Sequence, residues 1–265
     1  MKTIKYISIL SLILLLVACS TVPFTGRKQI KLLPESILLS MSLANYNEFL
    51  SANKPLPKNN VDAKMVKQAG LKISRAVTNF FRNNDQKERI KDFDWTFELV
   101  NDPTANAWCM PGGKVVVFNG ILPYTKNEDG LACVMGHEIA HAVARHGNER
   151  LSQQLLIALG GISLQVALKE KPEKTKQLFL LAYGAGSTLG SLAYSRQHET
   201  EADKLGMIFM AMAGYHPSKA IEFWERFSAS GGQEPPEFLS THPSNSTRIK
   251  NLKKFLPEAM KYYKQ

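Results

Sequence analysis

The chain has 265 residues, 44% of them hydrophobic, and its 33 Lys and Arg against 23 Asp and Glu give a formal charge of +10. That length allows one sizeable core, and the ordinary apolar fraction excludes a disordered or fibrous chain. The basic excess suits anionic lipid headgroups or acidic substrates, but no stretch interleaves aromatic with basic residues in the manner of a nucleic-acid surface, so no nucleic-acid partner is expected.

Residues 1–18 read as a leader rather than as part of the fold. Lys2 and Lys5 supply a positive start, and Ile7 to Val17 is almost unbroken apolar sequence, too short with its flanks for an ordinary transmembrane helix. The segment ends in Leu16-Val17-Ala18-Cys19. This resembles a bacterial lipoprotein signal, which implies cleavage before Cys19 and lipidation of its thiol and new amino group. The alternatives are a plain secretory signal and a retained anchor. Ser20, in place of the Asp that holds many such proteins at the inner membrane, favours the periplasmic face of the outer membrane. Residues 19–34, with Pro23, Gly26 and a basic patch, read as an extended tether, and 35–265 as one domain.

Apolar residues recur at helical spacing over 35–51 and 61–83, with Pro55 and Pro57 between them. The period then changes. Trp95, Phe97 and Leu99 alternate as in a strand, Asn106 to Met110 is a short extended piece, and Lys114 to Phe118 is a second strand after the Pro111-Gly112-Gly113 turn. A helix is expected from about Leu131 to His146, opened by a cap within Asn127–Gly130 and stopped or bent at Gly147. Further helices are expected over 149–168, 174–194, 199–213, 218–228 and 246–263, with a Gly-, Pro- and Ser-rich loop over 229–247.

The chemistry concentrates in His137-Glu138-Ile139-Ala140-His141. Two imidazoles four apart on a helix face one ion, and the intervening carboxylate reaches a metal-bound water. A catalytic zinc needs a third protein ligand. Glu199 and Asp203, four apart on the downstream helix, are the best candidates: Glu199 as ligand, and Asp203 behind a ligand histidine, orienting its ring. Glu201, on another face of that helix, reads as solvent-facing. His146, His198 and His216 carry no comparable case. Cys109 and Cys133 remain in a compartment that permits disulfides; the readings are a Cys109–Cys133 bridge, two free buried thiols, or Cys133 as a metal ligand, the last being the poorest.

These motifs taken in order, Asn106 with Pro111-Gly112-Gly113, Gly136 to His141, Ser195-Arg196 before Glu199 to Asp203, Gly214-Tyr215, and Thr241-His242-Pro243 with Arg248, resemble the M48 zinc metallopeptidases of Ste24/HtpX/Oma1 type, and within them the small exported lipoproteins of the bacterial envelope. The resemblance covers roughly residues 35–260. It implies an α+β, mainly helical zincin-like fold with a small mixed or antiparallel sheet beside the metal helix. One Zn²⁺ would be held by His137, His141 and Glu199, with Glu138 as the catalytic base. It also implies a second catalytic or gating group at His242, with Arg248 holding a carboxylate or the loop. Gly113, Lys114, Val115, Val116 and Val117 resemble the edge strand to which a substrate peptide adds. The expected activity is endoproteolysis of extended or misfolded envelope proteins, with outer-membrane assembly proteins or another envelope protease as partners. The alternatives are a chaperone that rarely cuts and a narrow processing peptidase. No repeat tail is expected after residue 260, so partners that dock on such tails elsewhere are not carried over.

Overall fold

The computed structural model describes residues 19–158, 164–183, 195–229, 242 and 246–263. The leader, the glycine-bearing end of 174–194, and most of the loop before Ser246 lie outside the described residues.

Three strands form a mixed sheet: β3 (Thr96–Val100), β4 (Ala107–Met110) and β5 (Lys114–Phe118). Their order is β3-β5-β4, with β3 parallel and β4 antiparallel to β5. Both faces are covered, which explains why Lys114 to Phe118 reads as a continuous apolar run. Val115 and Val117 enter the main core, while Val116 and Phe118 join a second core with Trp108, Leu38 and Phe179. This sheet corrects one expectation. Lys114 to Phe118 is the central strand, bonded on both sides, so its amides and carbonyls cannot accept an added peptide strand. The strand with an outer edge beside the metal helix is β4.

A two-stranded hairpin, β1 (Cys19–Thr21) with β2 (Lys28–Ile30), precedes α1 (Glu35–Ala52) and α2 (Val61–Asn83). The expected tether is therefore a docked element. Phe24 stacks on Phe80 at 4.7 Å and meets Phe81, Phe209 and Tyr262 edge-on. Arg27 donates to Glu149 at 2.8 and 3.0 Å and to Glu201 at 2.8 Å. Both partners lie more than a hundred residues downstream, so local composition could not reveal the docking. Glu201 is correspondingly buried rather than solvent-facing.

The short helix α3 (Leu122–Thr125) leads into α4 (Glu128–Ala144), whose N-terminus is capped by Asn127 accepting from the Gly130 amide at 3.0 Å. From Gly130 to Ala144 every residue of α4 is buried, as expected for a helix surrounded on all sides. It ends at Arg145, in the left-handed region with φ 62° and held by Glu35 at 3.2 Å, and not at Gly147. Gly147 instead sits in α5 (His146–Ala158), where a Cβ would lie 2.1 Å from the Tyr183 ring. Helices α6 (Leu164–Glu170) and α7 (Pro172–Ala182) follow, then α8 (Arg196–Met212), capped by Ser195, α9 (Ser218–Ala229) and α10 (Ser246–Met260). α4 and α8 pack directly on one another at the centre of the main core, with α2, α9 and α10 around them. No helix among the described residues is long and apolar enough to cross a membrane.

Cys109 and Cys133 are both buried free thiols, so the candidate disulfide is not formed. Cys109 Sγ points instead at the Met110 carbonyl, 3.7 Å away, and burial pushes both thiols upward.

The hairpin dock carries a pH signature. Burial raises the Glu149 and Glu201 carboxyls, but hydrogen bonds from His198 and Arg27 to the first, and from His146, Thr25 and Arg27 to the second, outweigh it and hold both at about 2. Their contribution is complete above the ordinary carboxylate value of 4.5 and is lost as pH falls from there towards about 2. Arg27→Ala should therefore lower the melting temperature most at neutral pH, and the gap to wild type should close below pH ~4.5. Thermal melts of both proteins from neutral pH down to about pH 2 test this, and a gap independent of pH refutes it.

Candidate metal centre

The site is built where α4 crosses α8. Gly136 and Gly206 face each other at the crossing: a Cβ on Gly206 would lie 3.1 Å from the His137 nitrogen, and one on Gly136 3.1 Å from the Gly206 carbonyl oxygen. Glu199, Asp203 and Gly206 are spaced to share one face of α8. The close approach of the backbones therefore brings both carboxylates to the histidines of α4.

His137, His141, Glu199 and His242 form a buried group whose ligand atoms all lie within 4.8 Å of one another and could hold a metal ion. His137 Nε2 is 3.0 Å from His141 Nε2, and His242 Nδ1 is 3.1 Å from His137 Nε2 and 3.1 Å from both Glu199 oxygens. Glu199 lies 3.3 Å from His141 Nε2 and 3.4 Å from His137 Nε2. A tetrahedral ion bound at 2.0–2.1 Å separates its donors by about 3.3 Å, so this donor set fits one metal. Glu199 is held well below the usual carboxylate range: burial opposes this, but the His242 charge and the hydrogen bonds from His137, His141 and His242 prevail. It is thus an anionic donor. Burial drives His141 well below its ordinary value, leaving a neutral one.

Glu138 points into the same space. Its Oε1 is buried without a hydrogen-bond partner among the described residues, with His242 Nε2 3.4 Å away. Burial raises its carboxyl above the ordinary value, which moves it towards the range useful for a base near neutral pH.

Behind the donors stands a polar layer. Asp203 Oδ1 lies 3.0 Å from His137 Nδ1 and accepts from Arg248 Nη2 at 2.6 Å. Burial would depress His137, but Asp203 and Glu199 together carry it to about 9. Arg248 also donates to the His242 carbonyl at 3.1 Å, approaches Glu199 at 3.2 Å, and lies over Trp224 at 3.4 Å from the ring centre. Asp203, Arg248 and His242, all expected near the site, come together there. His146 and Trp224, for which the sequence carries no such expectation, stand beside them. His146 Nδ1 is 2.9 Å from His141 Nδ1. Its spacing from His141, five residues, put it off the helical face, and only the break at Arg145 turns it back. His198, by contrast, faces Glu149 at 3.0 Å and not the donor group.

The family model described as Peptidase family M48 matches residues 68–256. The chain belongs to peptidase family M48. The match runs from α2 into α10 and so contains every donor residue described above. Similar proteins include the mitochondrial metalloendopeptidase OMA1 of Schizosaccharomyces pombe, 41% identical over 176 residues covering 64% of this chain and 49% of that one. The human metalloendopeptidase OMA1 is 31% identical over 248 residues, covering 90% of this chain and 46% of its own. The beta-barrel assembly-enhancing protease of Escherichia coli is 32% identical over 162 residues, covering 58% of this chain and 32% of its own. The chain thus spans half or less of the length of these M48 relatives.

The helix crossing can be tested directly. Gly206→Ala gains about 1 kcal/mol of helix propensity, but overpacking against the rigid His137 backbone costs about 1–3 kcal/mol. Gly206→Ala should therefore give no net stabilisation and should weaken metal binding, read by chemical denaturation and metal titration. A stabilised variant with unchanged metal affinity refutes the crossing as the organising contact.

Proposed function

We propose that this M48 chain is a zinc-dependent endopeptidase that cleaves extended or misassembled segments of cell-envelope proteins. The observation carrying it is the convergence of two histidines and an anionic Glu199 on one point, beside a buried Glu138 oxygen with no hydrogen bond among the described residues. His₂Glu is a donor set typical of catalytic zinc. Bound there, zinc would polarise the scissile carbonyl and acidify its water.

The residues of the chain then divide the work. Glu138 accepts the proton of the attacking water and returns it to the departing amine. Asp203 accepts a hydrogen bond from His137 Nδ1 and sets that ring, while Arg248 balances Asp203 and Glu199. The substrate would add to the outer edge of β4, since β5 is paired on both sides. β4 packs directly against α4, the helix that carries Glu138.

The envelope setting rests on the leader ending at Cys19, which would hold the protein by lipid at the periplasmic face of the outer membrane. The likeness to the beta-barrel assembly-enhancing protease supports outer-membrane assembly proteins as substrates or partners. The reading of a self-limited peptidase is favoured by one contact: His242 stands among the donors, where it would take the fourth position of a bound ion.

Glu138→Gln should lower cleavage of an unfolded substrate by about 10²- to 10⁴-fold while binding persists. Unchanged cleavage, or protein that takes up no zinc on reconstitution, defeats the proposal. His242→Ala should raise turnover of the same substrate by opening the fourth position. A fall in kcat would instead assign His242 to the transition state.

A further inference from the structure

The polar layer behind the donors is unequal. His137 is backed directly by the carboxylate of Asp203. His141 is backed by another imidazole: His146 Nδ1 lies 2.9 Å from its Nδ1. With His141 Nε2 turned to the donor group, its Nδ1 carries the proton and donates to His146 Nδ1. His146 is then protonated at Nε2, which lies 2.9 Å from Glu201 Oε2. The chain does not stop there. Glu201 accepts from Thr25 Oγ1 and, at 2.8 Å, from Arg27 Nε. The other end of the Arg27 guanidinium grips Glu149, which also holds His198, and His198 stacks on His146 with ring centres 4.5 Å apart. His141, His146, His198, Glu149 and Glu201 are all buried.

We propose that the N-terminal hairpin is a positioning element of the metal centre, acting through the buried chain Arg27/Thr25–Glu201–His146–His141 to fix the tautomer and direction of the second ligand histidine. Arg27 and Thr25 lie outside the segment matched to the family, residues 68–256. They stand within ten residues of Cys19, so the segment next to the proposed anchor reaches His141 through three hydrogen-bonded links. Each link has one orientation in which every proton has an acceptor. Removing the Arg27 charge frees Glu201 to turn, His146 then loses its fixed acceptor, and the His141 ring loses its reference. The effect of such outer partners on a ligand histidine is commonly 10- to 100-fold in metal affinity.

The inference rests on His137, His141 and Glu199 as the zinc ligands, and the experiment separates the two. Zinc affinity is measured by competition with a fluorescent chelator on the full chain, and the visible spectrum is recorded after cobalt substitution. His146→Ala and Glu201→Ala should each weaken zinc binding by roughly 10- to 100-fold and shift the cobalt bands. The double variant should be no weaker than the worse single, because both act through one chain. Glu201→Gln, which keeps an acceptor for His146 but loses the ion pair, should fall between Glu201→Ala and wild type. Arg27→Ala should weaken zinc binding in the same direction. Its side chain is at the margin of the domain, so it carries the test if the buried variants do not fold. Wild-type zinc affinity and an unshifted cobalt spectrum in folded Arg27→Ala overturn the proposal. A wild-type chain that binds neither metal overturns the ligand assignment itself.

Discussion

The contact on which this structure depends is the backbone crossing of α4 and α8 at Gly136 and Gly206. The residues needed for the site sit on two helices separated by some fifty residues of sequence. Only a crossing without side chains between the axes lets short carboxylates on one helix reach the imidazoles of the other. Any Cβ at either position meets backbone about 3.1 Å away, which cannot turn aside as a flexible side chain can. The other features of the centre follow from that distance: Glu199 meets His137 and His141, and Asp203 reaches the far nitrogen of His137.

Such proximity gathers charge among buried residues, and burying charge is costly unless it is paired. The structure answers with cations from elsewhere in the chain. Arg248, from α10, touches both Glu199 and Asp203 while resting on the Trp224 ring. Arg27, from the N-terminal hairpin, joins Glu149 to Glu201. The two arginines thus support opposite sides of the donor group from the two ends of the chain, and the metal helix itself contributes neither. His242 adds a third imidazole to the donor group.

The sheet has a quieter role. Its central strand is covered on both faces and paired on both edges, so it is scaffold. β4 lies at the edge of the sheet, paired with β5 on one side and packed against α4. The Pro-Gly-Gly turn before Lys114 marks the strand by motif, but strand order is set by which partners lie on either side, and a motif does not encode that.

Much was legible from residue order alone. The helices at 35–52 and 61–83 follow from apolar period, Asn127 announces a cap, and the two histidines with Glu138 define a metal chemistry because four residues make nearly one helical turn. Glu199 and Asp203 were readable for the same reason. What residue order could not decide were relations between distant segments. Glu201 reads as a solvated residue on an amphipathic helix, yet His146 and Arg27 lie against it. The segment after Cys19 looked like a tether because nothing near it shows the acidic pair it grips. The two cysteines suggested a bridge, yet one thiol is turned to a backbone carbonyl. Local periodicity determines elements and the chemistry on one helix face. Tertiary packing alone decides which buried charges meet, because that pairing is set by the balance of desolvation against hydrogen bonding among groups that sequence leaves far apart.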